Sequence, residues 1–171
     1  MSIQLIQATI NDLEAVRQIG IDTFYESFAS VNTEANMTHY LETGFSLERV
    51  ASELSNEDSE FHLAYDGDKL IGYLKVNHGP AQSELKDDTA LEIERIYVLR
   101  AWQGLKIGQL FYEKAIEIAC ARRYAYVWLG VWEENEKAIG FYKRNGFAEF
   151  DKHLFKLGDE IQTDIMMRRA L

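Results

Sequence analysis

The chain of 171 residues contains one cysteine, one proline and no long run of apolar residues. A single cysteine, Cys120, excludes a disulfide within the chain and a cysteine-based zinc site. Its place in an apolar helical pattern predicts a small buried residue rather than a nucleophile. No window is apolar enough to span a bilayer, and no charged leader precedes an apolar block at the N-terminus. The sequence therefore predicts a soluble, cytoplasmic protein without a membrane partner.

Basic residues are also scarce, because 18 Lys and Arg stand against 28 Asp and Glu and the formal net charge is −10. A surface of this sign repels phosphates, which argues against nucleic acid as a partner and favours a small cationic one. Solubility alone explains the acidity equally well. The length and the lack of repeats or linkers predict one domain over residues 1–171. A homodimer is left open.

The spacing of apolar residues predicts a mixed α/β fold. In the first half, we expect a strand at 3–8, a helix at 11–29 capped by Thr9 or Asn11, and shorter helices at 33–45 and 46–56. Alternating runs on either side of Gly67 then predict a hairpin.

In the second half, a polar loop at 78–89 separates the hairpin from a strand at 90–99. We expect a helix from Gly104 to Arg122, a strand at 124–132, a helix at 135–145 capped by Asn135 and stopped by Gly146, and a terminal hairpin across Gly158-Asp159. A strand–helix–strand unit implies a parallel pair, whereas hairpins add antiparallel strands. Together these elements predict a mixed central sheet of about seven strands with helices on both faces.

The stretch QGLKIG, from Gln103 to Gly108, lies where a strand ends and a helix starts. The first amides of a helix lack intrahelical partners and carry partial positive charge, so bare backbone there suits a diphosphate. Gly104 and Gly108 are the bare positions, and Lys106 adds a cation. Glycines at a strand–helix junction can also serve only to form the turn. A P-loop is excluded because Gln109 follows Gly108, and the position after an antiparallel meander disfavours a Rossmann site.

Two stretches resemble the GNAT superfamily of N-acetyltransferases. IERIYVLRAWQGLKIGQLFYEKAI is similar to its motif A, with Gln103-x-x-Lys106-x-Gly108 in place of Gln/Arg-x-x-Gly-x-Gly/Ala, and WLGVWEENEKAIGFYKRNGF is similar to its motif B. LEIERIY, WLGVWE and GDEIQTDIMM are most similar to the family's bacterial spermidine/spermine N-acetyltransferases. Lys106 departs from the pattern, because glycine is usual at that position. Lysine is tolerable there if its φ is negative.

The resemblance implies a GNAT fold in which acetyl-CoA, the co-substrate, lies between two splayed parallel strands, without a metal. The backbone of Ile96, Tyr97 and Val98 would contact the pantetheine arm, and Asn135 and Ala138 would line its other side. The pyrophosphate would lie on the turn formed by Gln103, Gly104, Leu105, Lys106, Ile107, Gly108 and Gln109.

Acetyl transfer to an amine requires that the ammonium lose a proton, that the thioester oxygen be stabilised and that the leaving thiolate be protonated. Glu94 is the candidate base, with Glu92 as the second choice. Strand alternation would place both on one face with Ile96 and Val98, where burial and mutual repulsion would raise at least one pKa toward neutrality. The resemblance adds that Glu94 occupies the position facing the acceptor amine. An ion pair with Arg95 or a surface lysine, or a base acting through water, is left open.

Tyr142 is the candidate acid, because a phenol with a pKa of about 10 is protonated at neutral pH. The resemblance maps it onto the tyrosine of motif B, beside the cofactor. Packing alone is the alternative for Tyr142, and Phe141 is expected in the core. A backbone amide near Val98 would stabilise the oxyanion. Surface or packing positions are expected for His39, His62, His78 and His153, and core positions for Trp128 and Trp132.

The sequence thus predicts an acetyl-CoA-dependent amine N-acetyltransferase, with a polyamine such as spermidine or spermine as the acceptor. A protein N-terminus, a lysine side chain or an aminoglycoside is an alternative acceptor. An acyl-CoA-binding regulatory module without turnover is the alternative from another functional class.

Overall fold

Seven strands and five α-helices make up the computed structural model, which describes residues 1–157 and 159–171. The strands are β1 (Ile3–Gln7), β2 (Ser59–Asp66), β3 (Lys69–Asn77), β4 (Ala90–Val98), β5 (Tyr126–Trp132), β6 (Ala148–Leu157) and β7 (Glu160–Ala170). The helices are α1 (Leu13–Phe28), α2 (Glu34–Gly44), α3 (Leu47–Ser55), α4 (Ile107–Ala121) and α5 (Glu136–Arg144). None of the helices in the described residues combines the length and apolar character that a membrane crossing requires.

The strands form one sheet in the order β1-β2-β3-β4-β5-β7-β6. Within the described strands, β4 and β5 are the parallel pair and the other neighbours are antiparallel. The crossover through α4 explains the parallel pair, because a strand cannot return beside its predecessor in the same direction without such a connection. The predicted mixed sheet of seven strands is confirmed.

Helices cover both faces of the sheet, as predicted, and each face has its own apolar core. On one face, α4 and α5 bury residues such as Phe111 and Ala115 against Ile93 of β4. On the other face, α1, α2 and α3 bury residues such as Phe24 and Val50 against the middle strands. The two cores therefore pack against both faces of the central strands.

The first half of the chain follows the predicted pattern, with one correction at a helix start. Thr33 and Ser46 cap α2 and α3 through their side chains, and Gly67 makes the hairpin turn with a φ of 58°. Asn11 is not a cap. The hydroxyl of Thr9 accepts from the Asn11 amide at 3.2 Å, which caps a short 3₁₀ turn ahead of α1.

Two further expectations about α4 and its neighbours are corrected. Helix α4 begins at Ile107 rather than Gly104, because Gly104 and Lys106 have φ values of 82° and 64° and cannot continue a right-handed helix. Cys120 is exposed, since the helix turns Ala115 and Ala119 toward the sheet instead. The predicted final turn includes Gly158, which lies outside the described residues.

Candidate active site

The parallel strands β4 and β5 pair only at their beginnings. Three residue pairs join them, and the last pair is Glu92 with Trp128. Beyond that point β4 continues to Val98 and β5 to Trp132 without pairing to each other. The facing edges therefore form a wedge whose apex lies at Glu92 and Trp128. Main-chain N–H and C=O groups along these edges need partners from outside the sheet, which suits an extended ligand with amide groups.

A β-bulge in β4 lies just beyond the apex of the wedge. The register between β3 and β4 shifts there, because Lys75 faces Arg95 while Val76 faces Ile93. Glu94 is thus the extra residue of β4, which interrupts the alternation of side chains along the strand.

The bulge corrects the predicted face of β4. Ile93 and Ile96 both pack in the core under α4, although they are three residues apart. Val98 packs on the same side, whereas Glu92 points to the opposite face by alternation with Ile93. The expectation that Glu92 and Glu94 share one face with Ile96 and Val98 is therefore wrong.

The N-terminus of α4 lies at the open end of the wedge, directly after β4. Its first residue follows Lys106, which provides no side-chain cap, and the first intrahelical bond joins the Leu110 amide to the Lys106 carbonyl at 3.2 Å. The amides of 107–109 precede that bond, so they have no carbonyl partner within the helix. A Cβ placed on Gly104 or Gly108 would meet no described atom within 4 Å. Open space in front of a positive helix end suits a diphosphate.

Lys106 adopts the left-handed conformation, with φ 64° and ψ 20°. The condition of a negative φ at this position is therefore not met. An L-residue in this region costs about 1 kcal/mol, which explains why glycine is suited to the position. The strained residue connects Gly104 to the first turn of α4.

The predicted cap and tyrosine belong to α5, which follows β5, the strand on the other side of the wedge. Asn135 Oδ1 accepts from the Ala138 amide at 3.1 Å, which confirms the predicted cap. Tyr142 is 9% exposed, and its ring meets Phe147 edge-on with centroids 5.6 Å apart. Phe141, expected in the core, is only partly buried. Burial raises the pKa of the Tyr142 phenol, so the group keeps its proton well above neutral pH.

Glu94 belongs to a cluster of alternating charges beneath the bulge. Its Oε2 atom lies 2.6 Å from Lys75 Nζ and 3.4 Å from Arg95 Nε. Glu53 of α3 pairs with the same two cations at 3.0 and 3.4 Å. Burial acts to raise the pKa of Glu94, but the charges of Arg95 and Lys75 outweigh it and lower that pKa. The direction is opposite to the one that favours a general base at neutral pH.

Glu92 is 2% exposed and lies in a closed hydrogen-bonding pocket. It accepts from Asn77 Nδ2 at 2.9 Å, from the Ser83 amide at 2.8 Å and from the Ser83 hydroxyl. Burial raises the pKa of Glu92, although these hydrogen bonds oppose the shift. The prediction that burial raises the pKa of at least one of the two carboxyl groups is confirmed at Glu92.

The histidines and tryptophans lie in different surroundings. His39 is exposed, whereas His62 and His78 are buried beside Glu60 at the far end of the sheet. Trp128 is fully buried, as predicted, and Trp132 packs against Phe28 with ring centroids 6.1 Å apart. Within the described residues, no group of three or more His, Cys, Asp or Glu side chains could hold a metal ion.

His153 of β6 lies beside the wedge, a position that sequence reasoning missed. Its Nε2 atom is 3.6 Å from Asp164 Oδ2 and 3.8 Å from Glu84 Oε1. Its Cε1 atom would lie only 3.2 Å from a Cβ placed on Gly130. The available signal was Gly130 itself, because a glycine inside a strand often marks the close approach of another group.

Comparison with known proteins gives consistent matches over most or all of the chain. The model of the Acetyltransferase (GNAT) family matches residues 14–147. An uncharacterized N-acetyltransferase in the pepI 3′ region of Lactobacillus delbrueckii subsp. lactis is 34% identical over 99% of this chain and 98% of its own length. Spermidine N(1)-acetyltransferase of Thermoplasma acidophilum is 24% identical over 88% of this chain and 91% of its own. The crystal structure of PaiA N-acetyltransferase from Thermoplasma acidophilum in complex with coenzyme A superposes over 100% of both chains, with a TM-score of 0.81 and 23% identity.

Replacing Glu94 by glutamine removes one of the two carboxylates that balance Lys75 and Arg95. We expect the free energy of unfolding to fall by about 3 kcal/mol at neutral pH, as when a buried ion pair is broken. Because folding lowers the pKa of Glu94, its stabilising contribution is present above the ordinary carboxyl pKa of about 4.3. That contribution disappears as the pH falls through the lower value of the folded state. Urea unfolding of wild type and variant at pH ~7 and pH ~3 measures the difference.

The control is Glu57→Gln, which removes an exposed carboxylate. It should change the free energy of unfolding by no more than about 0.5 kcal/mol. An equal loss in the two variants, or a loss at Glu94 that does not depend on pH, would contradict the proposed counter-ion.

Proposed function

The chain belongs to the GNAT acetyltransferase family, and from that premise we propose that it transfers the acetyl group of acetyl-CoA to the primary amine of a small cationic acceptor. The observation that carries the proposal is the uncapped N-terminus of α4 at the open end of the β4–β5 wedge. That arrangement offers separate sites to the two chemical parts of coenzyme A, namely its phosphates and its amide-containing arm.

The residues present fit coenzyme A. Amides of 107–109, with the space in front of Gly104 and Gly108, would hold the pyrophosphate, and Gln103, Leu105, Lys106 and Gln109 complete that turn. The edge of β4 that does not pair with β5, at Ile96, Tyr97 and Val98, would bond the pantetheine arm. The Val98 carbonyl already accepts from Gln103 Nε2 at 3.1 Å. Asn135 and Ala138 would line the opposite side. The arm would then run from the mouth of α4 into the wedge, and the thioester would lie inside the wedge.

Tyr142 would protonate the departing thiolate. Its ring is held against Phe147, with the centroids 5.6 Å apart. A phenol that keeps its proton at neutral pH can donate it to sulfur, and the amide near Val98 would stabilise the oxyanion.

The carboxylates of Glu92 and Glu94 would act mainly through the electric fields of their charges. Glu94 balances Lys75 and Arg95, and it fixes the bulge that opens the wedge. Glu92 would keep negative charge near the apex, although all of its hydrogen bonds go to Asn77 and Ser83. Of the two, Glu92 has the pKa shift that suits a base, since burial raises it.

A polyamine such as spermidine is the acceptor that we propose first. The support is the similarity to a spermidine acetyltransferase and the net charge of −10, which attracts a polycation over the surface. A protein N-terminus, a lysine or an aminoglycoside would reach the same wedge from the side opposite α4. A cytoplasmic location, where acetyl-CoA is available, fits this proposal.

Incubation of the protein with acetyl-CoA and a panel of amines tests the function, with thiol release as the measurement. We expect release to require an amine and to be fastest with spermidine or spermine. Binding of coenzyme A without release by any amine would instead support an acyl-CoA-binding regulatory module. Faster release with a peptide or an aminoglycoside would replace the polyamine as the acceptor.

Gly108→Glu should separate cofactor binding from stability. The new carboxylate would lie in the space proposed for the diphosphate and repel it, so we expect coenzyme A to bind at least about tenfold more weakly, equivalent to ~1.4 kcal/mol. The same change should leave the free energy of unfolding equal or higher, because glutamate is a better helix residue than glycine and suits a helix N-terminus. Titration calorimetry with coenzyme A and urea unfolding give the two values.

Ala121→Glu is the matched control, because it adds the same charge at the exposed far end of α4, about 20 Å away along the helix. It should bind coenzyme A like wild type. If Gly108→Glu also binds like wild type, the phosphates do not lie at the N-terminus of α4.

Tyr142→Phe removes the proposed acid while it keeps the ring that packs on Phe147. We expect kcat to fall by about 100-fold and the Kd of coenzyme A to stay within about twofold of wild type. Tyr126→Phe, which removes a phenol bonded to Asp87 at the start of β5, serves as control and should keep wild-type turnover. Equal turnover in wild type and Tyr142→Phe would rule out the acid role.

A further inference from the structure

The group that deprotonates the acceptor is not evident among the carboxylates of β4. Glu94 is bound by Lys75 and Arg95, and the pKa shift of Glu94 is downward. Glu92 is enclosed, and its two oxygens accept three hydrogen bonds from Asn77 and Ser83. A proton acceptor must come within hydrogen-bonding distance of the ammonium, and the cations around Glu94 and the enclosure of Glu92 make both carboxylates poor acceptors.

His153 lies on the β5 side of the same opening. Gly130 is two residues beyond the apex residue Trp128 and shares its face of β5, the face away from α4. The Cε1 edge of His153 rests over Gly130, where even a methyl group would crowd it at 3.2 Å. The strand therefore has a bare position where the wedge opens, and an imidazole covers that position from the side opposite α4.

The two nitrogens of His153 differ in their surroundings. Nε2 faces the carboxylates of Asp164 and Glu84, at 3.6 and 3.8 Å. Nδ1 is buried and has no hydrogen-bond partner among the described residues. The carboxylates favour the tautomer with its proton on Nε2, which leaves the lone pair on Nδ1 free to accept a proton. A buried nitrogen without a partner is costly unless a ligand uses it.

On the basis of the proposed function, we propose that His153 Nδ1 accepts the proton from the acceptor ammonium, and that Asp164 positions the ring. The ammonium gives one proton to His153 and becomes a neutral amine. The amine attacks the thioester carbon, a C–N bond forms, and the C–S bond breaks. Tyr142 protonates the thiolate and recovers a proton from the amide nitrogen. The sum is one amide, one thiol and one proton, which His153 releases to water.

The surroundings of His153 also suit a cationic acceptor. The ionisable groups within 4 Å of the ring, in the part of the chain described here, are Asp164 from β7 and Glu84 from the loop before β4. Neither carboxylate has a lysine or arginine partner at ion-pair distance among the described residues, unlike Glu94. They can therefore attract an ammonium to the ring.

The test compares pH–rate profiles of thiol release for wild type, His153→Gln and Asp164→Asn, with the best acceptor amine. We expect His153→Gln to lower kcat/KM for the amine by about 100-fold and to remove the acidic limb, with KM for acetyl-CoA unchanged. Asp164→Asn should lose less activity and move the acidic limb to lower pH, because a neutral neighbour no longer stabilises the imidazolium. His39→Gln, on the exposed side of α2, should behave like wild type.

Each other outcome has a definite meaning. If the wild-type enzyme turns over, and His153→Gln keeps the same acidic limb and the same kcat/KM, the role of His153 is overturned. The proposed function then remains intact. A loss that appears equally in the affinity for coenzyme A, or in the unfolding midpoint, also overturns it. Absence of turnover in wild type with every amine refutes the proposed function itself, and the role of His153 with it.

Discussion

Beyond Glu92 and Trp128 two parallel neighbours stop pairing, and the main-chain groups on their facing edges lose the partners that a sheet interior normally supplies. The fold tolerates this loss because the outer edges of the same strands remain paired, β4 with β3 and β5 with β7. An extended ligand in the wedge restores the missing hydrogen bonds. The unpaired main-chain groups are therefore available to bind a ligand. A ligand that fills the wedge binds the folded state only, so it must also raise the free energy of unfolding.

The bulge at Glu94 supplies the physical reason why the strands separate where they do. It inserts one residue into β4, increases the local twist and directs Arg95 into the space under α1–α3. A buried arginine requires counter-charges, which Glu53 and Glu94 provide. Both carboxylates also pair with Lys75. The ionic cluster thus lies behind the wedge as a support. Its net contribution to stability is small, but removal of any one member leaves an unbalanced charge.

Much of the fold could be predicted from the sequence, because helix caps and alternating strands are local signals, as at Thr33, Ser46 and Gly67. The bulge at Glu94 could not be predicted, since it depends on the register with β3. Nor could the left-handed φ of Lys106, which the turn imposes against local preference. The position of His153 could not be predicted for a third reason, because the strand pairing brings it over Gly130, 23 residues away in the chain. Local pattern identifies the elements, whereas the chemistry depends on pairs of elements.

The acidity of the chain acts at two ranges that differ in their physics. Across the surface, a net charge of −10 draws a cation toward the protein, and salt screens this attraction within about 8 Å at physiological ionic strength. Within the site, Glu53 and Glu94 are already balanced, and Glu92 is committed to hydrogen bonds. In the proposed mechanism, close recognition of an ammonium falls to Asp164 and Glu84, next to His153. Overall charge would then govern how fast cations arrive, and these three side chains would decide which of them reacts.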